Sequence, residues 1–164
     1  MMNSQSFHCT IASGLSPIEA SERINRVWDW WTKSFEGASA RAGDTFTVRF
    51  GKTFVSFRVA KMIPGKKTVW DVTDSYLAWL DKREWNGTRI IFEITASGGK
   101  TDVTMTHEGL VPEIACYENC QEGWTFYIEK SLAALLSTGE GLPDKKYSND
   151  AQEATASAAA GTSK

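Results

Sequence analysis

The 164-residue sequence is poor in proline, cysteine and histidine, with four, three and two residues of each. Cys9, Cys116 and Cys120 are too few for a disulfide framework, and their spacing matches no paired zinc motif. No apolar run approaches the roughly 20 residues that span a bilayer, and residues 1–7 do not resemble a secretory signal. These absences predict a cytoplasmic protein that binds no metal, needs no cofactor and does not associate with a membrane.

The chain also has little excess of either charge: 18 Lys and Arg residues and 20 Asp and Glu residues give a formal net charge of -2. No basic run forms the stripe by which proteins hold nucleic acid. The sequence has no phosphate-binding glycine loop and no Gly-x-Ser-x-Gly nucleophile motif. We therefore expect no nucleic-acid partner, and any catalysis would have to rely on acid–base chemistry.

Large aromatic side chains are abundant, with seven Trp and eight Phe residues. Such side chains bury large areas, so we expect either a bulky core or an aromatic-lined cavity. A single domain over residues 1–143 is long enough to bury such a core. Residues 144–164 contain no Leu, Ile, Val, Phe or Trp, and we predict a disordered low-complexity tail there.

The amino-terminal part predicts a strand followed by short helices. Apolar and polar residues alternate over residues 7–11, which is typical of a half-buried strand. Ser16 then has the side chain of an N-cap, Pro17 suits the first helical position, and Glu19 completes a capping box. The helical pattern continues beyond this point, with a break near Asn25.

The middle of the chain predicts a sheet, because apolar and polar residues alternate in six further runs. Turn residues separate these runs, and they favour antiparallel connections between neighbouring strands. The six runs are 45–50, 55–60, 69–73, 77–85, 90–94 and 103–107.

Asn86–Gly87 is the strongest short hairpin signal in the chain. A two-residue turn there would pair the run 77–85 with the run 90–94. The period of two along a strand would then turn Asp81 and Arg83 towards the inner face of the sheet. The hairpin therefore predicts a carboxylate and a guanidinium in any pocket on that face.

The same hairpin sets Glu84 opposite Arg89 on the outer face, where the two would form a cross-strand ion pair. A bulge before Trp85 would reverse the faces. The alternative for residues 81–84 is a solvated strand end that contributes nothing to a pocket.

Residues 112–137 predict one long amphipathic helix. Glycines at 139 and 141 and a proline at 143 end it. Its two faces separate cleanly at helical spacing. The predicted outer face carries Glu118, Glu122, Thr125 and Glu129, and the predicted inner face carries Cys116, Cys120, Trp124, Tyr127, Ser131 and Leu135.

Five segments between residues 85 and 143 carry a resemblance to a known family, and the likeness as a whole covers roughly residues 5–143. They are WNGTRIIFEI (85–94), TMTHEGL (104–110), CQEGW (120–124), SL (131–132) and GEGLP (139–143). The chain resembles the SRPBCC superfamily of START-like, helix-grip proteins, in the branch related to activators of heat shock protein 90 ATPase. The resemblance implies an α+β helix-grip fold: a curved antiparallel sheet wrapped around a long C-terminal helix, with short helices after the first strand. It also implies a hydrophobic cavity between the sheet and that helix.

His107 shares a strand face with Val103 and Met105, which turns it towards the predicted helix. A histidine there could act as a general base or hydrogen-bond a ligand. It could equally be a structural histidine that is bonded to a neighbouring group. Both interpretations stay open, and His107, Asp81 and Arg83 are the candidate catalytic residues.

The expected pocket lining is mostly aromatic, although the same side chains could simply fill the core. The predicted function is binding of a small hydrophobic molecule, and the alternative is an enzyme of the cyclase or dehydratase kind that uses acid–base residues in the cavity. A third hypothesis is a chaperone ATPase co-regulator that contacts a protein partner through its surface. The predicted ligand-binding residues are Trp70, Trp79, Phe92, Met105, His107, Cys120, Trp124 and Tyr127.

Overall fold

A computed structural model describes residues 5–144, and residues 1–4 and 145–164 lie outside this range. The predicted tail therefore lies outside the described residues, except for Asp144. The Asp144 carboxylate accepts a hydrogen bond from the Lys33 N–H at 2.9 Å, and its own N–H donates to the Trp31 carbonyl at 2.9 Å. No helix within residues 5–144 is long and apolar enough to cross a membrane.

A seven-stranded antiparallel sheet, in the order β1-β7-β6-β5-β4-β3-β2, packs with one face against the helices. The predicted α+β helix-grip class is confirmed. The strands are β1 (Phe7–Ser13), β2 (Phe35–Gly37), β3 (Thr45–Phe50), β4 (Thr53–Ile63), β5 (Lys67–Tyr76), β6 (Arg89–Ser97) and β7 (Lys100–Glu108). The helices are α1 (Pro17–Ile24), α2 (Val27–Trp30), α3 (Tyr117–Trp124), a π-helical segment (Thr125–Leu132) and α4 (Ala133–Thr138).

Helix α1 begins where the sequence predicts it. The Glu19 N–H donates to Ser16 Oγ, and the Ser16 N–H donates back to Glu19 Oε1, each at 3.2 Å. The helix ends at Ile24 with Asn25 as its C-cap, which confirms the predicted break. The chain turns at this break, and the short helix α2 then runs up to Trp30 and Trp31 at the inner face of the sheet.

The inner face of the sheet is a continuous apolar surface because the strand register aligns the buried residues. His107 of β7 lies opposite Ile90 of β6, which lies opposite Trp70 of β5. On the outer face, Arg89 lies 3.2 Å from Asp71 and 3.7 Å from Glu108 on the two neighbouring strands. The alternation along each strand thus separates a buried apolar side from a charged side.

The expected strand over residues 77–85 is wrong, and so is the hairpin built on it. Strand β6 pairs with β5, with Ile90 opposite Trp70. The Leu77 N–H donates to the Lys82 carbonyl at 2.7 Å, and the chain between them makes a tight loop in which Asp81 takes a positive φ of 54°. A strand cannot pass through that backbone conformation. The alternation in this stretch therefore has no counterpart in a sheet.

The turn at Asn86–Gly87 does form, but it does not join two paired strands. The Thr88 N–H donates to the Trp85 carbonyl at 3.0 Å, and Gly87 has a φ of 83°. An Asn-Gly pair suits any turn that needs a positive φ. The dipeptide therefore predicted the position of the turn correctly, but it did not indicate which strands pair beside it.

The predicted ion pair between Glu84 and Arg89 is also wrong. The two oxygens of the Glu84 carboxylate accept the N–H groups of Ala115 at 3.1 Å and of Cys116 at 2.9 Å. These N–H groups lie just before α3, where backbone donors have no partner inside the helix. Glu84 thus fixes the start of the C-terminal helix from a distant loop.

The C-terminal helix is continuous over residues 117–138, and residues 112–116 form turns in place of the predicted first helical turn. All six residues of its predicted inner face are buried. Its centre is π-helical: the Ala133 N–H donates to the carbonyl of Ile128, five residues earlier. The helix ends at Gly139, which takes the left-handed conformation with a φ of 92°.

Candidate functional site

Five of the seven tryptophans meet between the sheet and the C-terminal helix. They reach this interior from four parts of the chain: the region of α2, strand β5, the loop before β6, and α3. Phenylalanines from the sheet complete the cluster around them. The tryptophans are Trp30, Trp31, Trp70, Trp85 and Trp124, and the phenylalanines include Phe46, Phe57 and Phe92.

Trp31 lies at the centre of this cluster and was not among the predicted site residues. Its ring centroid is 4.8 Å from that of Trp124 on the C-terminal helix, and 5.9 Å and 6.5 Å from those of Phe57 and Trp70 on the sheet. Trp85 closes a further side at 6.4 Å. The Trp31 indole therefore fills the space between helix and sheet at this level, and only 4% of the residue is exposed.

Hydrogen bonds hold the backbone that carries Trp31. Ser131 Oγ, on the π-helical segment, donates to the Trp30 carbonyl at 2.6 Å and accepts the Leu142 N–H at 2.7 Å. The Trp31 carbonyl accepts the Asp144 N–H. The small side chain of Ser131 thus serves to join α2 to the C-terminal helix.

Trp70 is fully buried among aromatic rings. Its centroid is 5.0 Å from Phe46 and 5.1 Å from Phe92, both in edge-on contacts, and 5.5 Å from Phe57. Its indole N–H finds no hydrogen-bond acceptor among residues 5–144. Buried N–H groups without a partner are uncommon in proteins, so this donor requires an explanation.

His107 is fully buried, and both of its ring nitrogens are bonded. The Trp124 indole N–H donates to Nδ1 at 3.0 Å, and Nε2 lies 2.9 Å from Thr88 Oγ1. Thr88 donates its own hydroxyl hydrogen to the Trp85 carbonyl at 2.7 Å, so it must accept from Nε2. This network assigns a neutral imidazole with its proton on Nε2, and burial lowers the His107 pKa to about 3.

The cysteines are buried and poorly reactive. The Trp85 indole N–H donates to Cys120 Sγ at 3.2 Å. Burial, together with the hydrogen bond to Cys116, raises the pKa of the Cys120 thiol well above its usual value. Burial, with a smaller effect of Glu129, raises the pKa of Cys9 to about 12. Among residues 5–144, no group of three or more His, Cys, Asp and Glu side chains could hold a metal ion.

Asp81 and Arg83 lie on the surface, which corrects the inward interpretation and agrees with the alternative of a solvated segment over residues 81–84. The Tyr76 hydroxyl donates to Asp81 at 2.7 Å, and Arg83 donates to Asp74 at 2.8 Å. The pKa of Asp74 is lowered, mainly by the hydrogen bond from the Ser75 N–H and further by Arg83. The reason for the error is the tight loop at 77–82, which removes the strand that was to carry both residues inward.

Trp79 belongs to the same loop and is 45% exposed, so it does not line the interior as predicted. The structure brings the other predicted lining residues together on the inner side of the sheet. These residues are Trp70, Phe92, Met105, His107, Cys120, Trp124 and Tyr127. Reasoning from sequence missed Trp31 and Thr88, and the only available signal for Trp31 was the tryptophan-rich run 28–31 after the first helix.

A curved antiparallel sheet that packs on a long C-terminal helix, with an aromatic interior, is the architecture of the START-like proteins. The chain belongs to the family of Activator of Hsp90 ATPase homolog 1-like proteins, whose family model matches residues 20–137, well over half of its length. This confirms the branch that the sequence resembles. No curated protein sequence matches the chain.

Solved structures share the fold at low sequence identity. The Aha1 dimer of Colwellia psychrerythraea is similar with 24% identity and a TM-score of 0.69, over 83% of this chain and 98% of that one. Mll3558 of Rhizobium loti has 17% identity and a TM-score of 0.64, over 80% and 96% of the two chains. DynU16, a protein of the dynemicin biosynthetic locus, has 16% identity and a TM-score of 0.61, over 85% and 49%. At these identities the likeness shows the fold alone.

Truncation of Trp124 should be among the most destabilising single changes. Trp124 is 2% exposed, and Trp124→Ala removes a large buried side chain and leaves His107 Nδ1 without its donor. We expect a loss of about 3–5 kcal/mol in the free energy of unfolding, measured by urea titration. Trp79→Ala, at an exposed tryptophan, is the control and should cost less than about 1 kcal/mol. Equal costs for the two variants would contradict the placement of Trp124.

His107 should make stability depend on pH below about 6.5. Its pKa is about 3 in the folded protein and 6.5 as the ordinary value, so between these limits the unfolded chain binds a proton that the folded chain does not. The contribution of His107 is complete above pH 6.5. It falls with decreasing pH by up to about 1.4 kcal/mol per pH unit until pH approaches 3.

Urea unfolding at several values between pH 5 and 6.5 measures this slope. The side chain in His107→Gln can also accept from Trp124 and donate to Thr88. This variant should reduce the slope of the free energy of unfolding against pH by the equivalent of about one bound proton. The second histidine of the chain, His8, is exposed, so His8→Gln should leave the slope unchanged. An identical slope in the wild type and in His107→Gln would contradict the buried, neutral state of His107.

Proposed function

We propose that the protein binds a flat, apolar small molecule between the sheet and the C-terminal helix, in the space that the Trp31 indole occupies. The observation that supports this proposal is the place of Trp31 in the chain. Trp31 belongs to neither the sheet nor the C-terminal helix but is the residue after the four-residue helix α2. A ring of similar shape could replace it without any change in the surrounding framework.

The surroundings of Trp31 have the composition of a binding site for an aromatic molecule. Six aromatic rings have centroids 4.8–6.5 Å from that of Trp31, and they come from the sheet, the C-terminal helix, the loop before β6 and α2. Sites for small molecules are mostly apolar and aromatic. Because the backbone of Trp31 is held by Asp144, entry of a ligand requires rotation of the indole rather than movement of α2.

The proposal is binding and not catalysis, because the interior offers little acid–base chemistry. Of the buried residues within 5–144, His107 is the only His, Lys, Arg, Asp or Glu. Both of its nitrogens are engaged in hydrogen bonds. Asp81 and Arg83, which the enzyme hypothesis needs inside, bind other surface groups. A cyclase or dehydratase mechanism therefore receives no support from this arrangement.

Titration with the uncharged fluorescent probe N-phenyl-1-naphthylamine tests the proposal. The wild type should bind it with a micromolar Kd, a modest affinity because the Trp31 indole must first be displaced. Trp31→Ala removes that cost and should bind about tenfold more tightly, which corresponds to a displacement cost of about 1.4 kcal/mol. Trp28→Ala, at the exposed tryptophan of α2, is the matched control and should behave as the wild type.

Two outcomes would contradict the proposal. If the wild type shows no saturable binding while Trp31→Ala binds the probe, Trp31 is a permanent core residue and the variant has merely gained a cavity. If Trp31→Ala binds the probe with the same Kd as the wild type and Trp28→Ala, the probe occupies another place. Thermal unfolding of each variant, followed by circular dichroism, establishes that the measured protein is folded.

A second candidate function is contact with a protein partner. The family description refers to activation of the Hsp90 ATPase, and Trp79 presents a large apolar side chain to solvent. The loop that carries it is held by the Tyr76–Asp81 and Arg83–Asp74 hydrogen bonds. Exposed aromatic side chains on a fixed surface often dominate protein interfaces.

The ATPase rate of an Hsp90 chaperone, measured with and without this protein, tests the second candidate. Stimulation that is lost in Trp79→Ala but kept in Trp28→Ala would support a contact through the 77–82 loop. An unchanged ATPase rate with the wild-type protein would reject it. The interior variants are not needed for this measurement, so the two candidate functions are tested independently.

A further inference from the structure

Phe50 differs from the other rings around Trp31 because it also reaches the surface. Of the six rings within residues 5–144 whose centroids lie 4.8–6.5 Å from that of Trp31, five belong to residues that are at most 6% exposed. The sixth is Phe50, at 6.1 Å, and it is only half-buried. The Phe50 side chain therefore borders the space of the Trp31 indole and also borders solvent.

The inner face of the sheet becomes accessible at Phe50. Phe46, Val48 and Phe50 share the inner face of β3, and the first two are 2% and 0% exposed. Phe50 is the last residue of the strand, directly before the turn at residues 51–52. Its partner on β4, Thr53, is half-buried as well. The inner face thus changes from buried to partly exposed at this end of β3 and β4.

The C-terminal helix faces Phe50 from the other side. The Phe50 centroid is 6.1 Å from that of Tyr127, which belongs to the π-helical segment. Short π-helical turns inside α-helices occur frequently at functional sites. Phe50 therefore lies where the sheet and this segment meet at the margin of the proposed binding site, in contact with the rings of both Trp31 and Tyr127.

We infer, on the basis of the proposed function, that Phe50 is the gate residue through which the apolar ligand enters and leaves the Trp31 site. Outward rotation of the Phe50 ring opens a passage between the β3–β4 turn and the π-helical segment. The five buried rings around Trp31 keep their positions during this exchange. Phe50 thereby controls the rate of ligand exchange, whereas Trp31 controls the affinity.

The ring contacts of Phe50 explain why its effect is on rates. Opening of the gate breaks its contacts with Trp31 and Tyr127, so these contacts raise the barrier to both entry and exit. After the gate closes, Phe50 lies beside an aromatic ring in either state, the Trp31 indole in the free protein or the ligand in the complex. Its contribution to the two states is therefore similar and largely cancels in the Kd.

Stopped-flow mixing of the protein with N-phenyl-1-naphthylamine, followed by dilution of the complex, measures kon and koff. Phe50→Ala should raise both by about tenfold, because two ring contacts no longer oppose opening, and should leave the Kd within about threefold of the wild type. Phe50→Trp places a larger ring in the gate and should lower both rate constants. A general loosening of the fold cannot slow exchange, so the opposite effects of the two variants identify a gate.

Phe35→Ala is the matched control. Phe35 is also half-buried on the sheet, but its ring contacts are with Trp28 and Phe46, at 5.0 and 5.4 Å. This variant should exchange the probe at the wild-type rates. Each variant is measured well below its thermal transition, as determined by circular dichroism, so that the rate constants describe folded protein.

The outcomes separate this inference from the proposed function. If the wild type shows no saturable binding of the probe, both fail. If the wild type binds the probe and the two Phe50 variants exchange it at the wild-type rates, the inference fails while the proposed function stands. Acceleration in Phe35→Ala equal to that in Phe50→Ala would also overturn the inference, since any loss of packing near the sheet would then suffice.

Discussion

The hydrogen bond from the Trp124 indole to His107 fixes how closely the C-terminal helix approaches the sheet. It joins the helix to β7, and its acceptor ring is held in turn by Thr88. Thr88 donates to the Trp85 carbonyl, so the chain of bonds continues into the loop before β6. Because every member is buried or half-buried and satisfied, loss of one leaves another unpaired in an apolar interior. Helix, sheet and loop are thus held at one spacing.

That spacing leaves room for one aromatic layer, and Trp31 is its centre. The ring touches the sheet and the C-terminal helix at once while belonging to neither. In a START-like fold this is the region where the resemblance implies a cavity. The protein satisfies the demand for close packing with its own indole, so the ligand binding that we propose would exchange one ring for another. Such an exchange keeps the packed framework but lowers the apparent affinity by the cost of moving Trp31.

Charged side chains lie on the surface of the molecule, and the polar side chains of the interior are uncharged. Charged side chains form pairs on the outer face and beside the 77–82 loop, as Arg89 does with Asp71 and Arg83 with Asp74. Inside, the buried polar side chains within residues 5–144 are uncharged, and most of their polar atoms have a hydrogen-bond partner in a side chain or the backbone. This division favours recognition of a neutral molecule over acid–base catalysis.

Sequence by itself determined the elements whose signals are local. The capping box at Ser16, the break at Asn25 and the inward face of the C-terminal helix follow from spacing and side-chain type, and the structure has all of them. Alternation also placed His107, Phe92 and Met105 on the inner side of the sheet correctly. The fold class follows from the order of these elements.

Only the tertiary structure decided where long-range partners lie. Asp81 has the spacing of an inward-facing strand residue, but its backbone takes a positive φ because Leu77 and Lys82 close a loop around it. Glu84 could have paired with Arg89, yet it binds the start of a helix about 30 residues away. Trp31 carries no periodic signal, and its central position arises because Ser131 and Asp144 join α2 to the end of the chain. Contacts between residues distant in sequence depend on how all the elements pack together, and no local pattern encodes that.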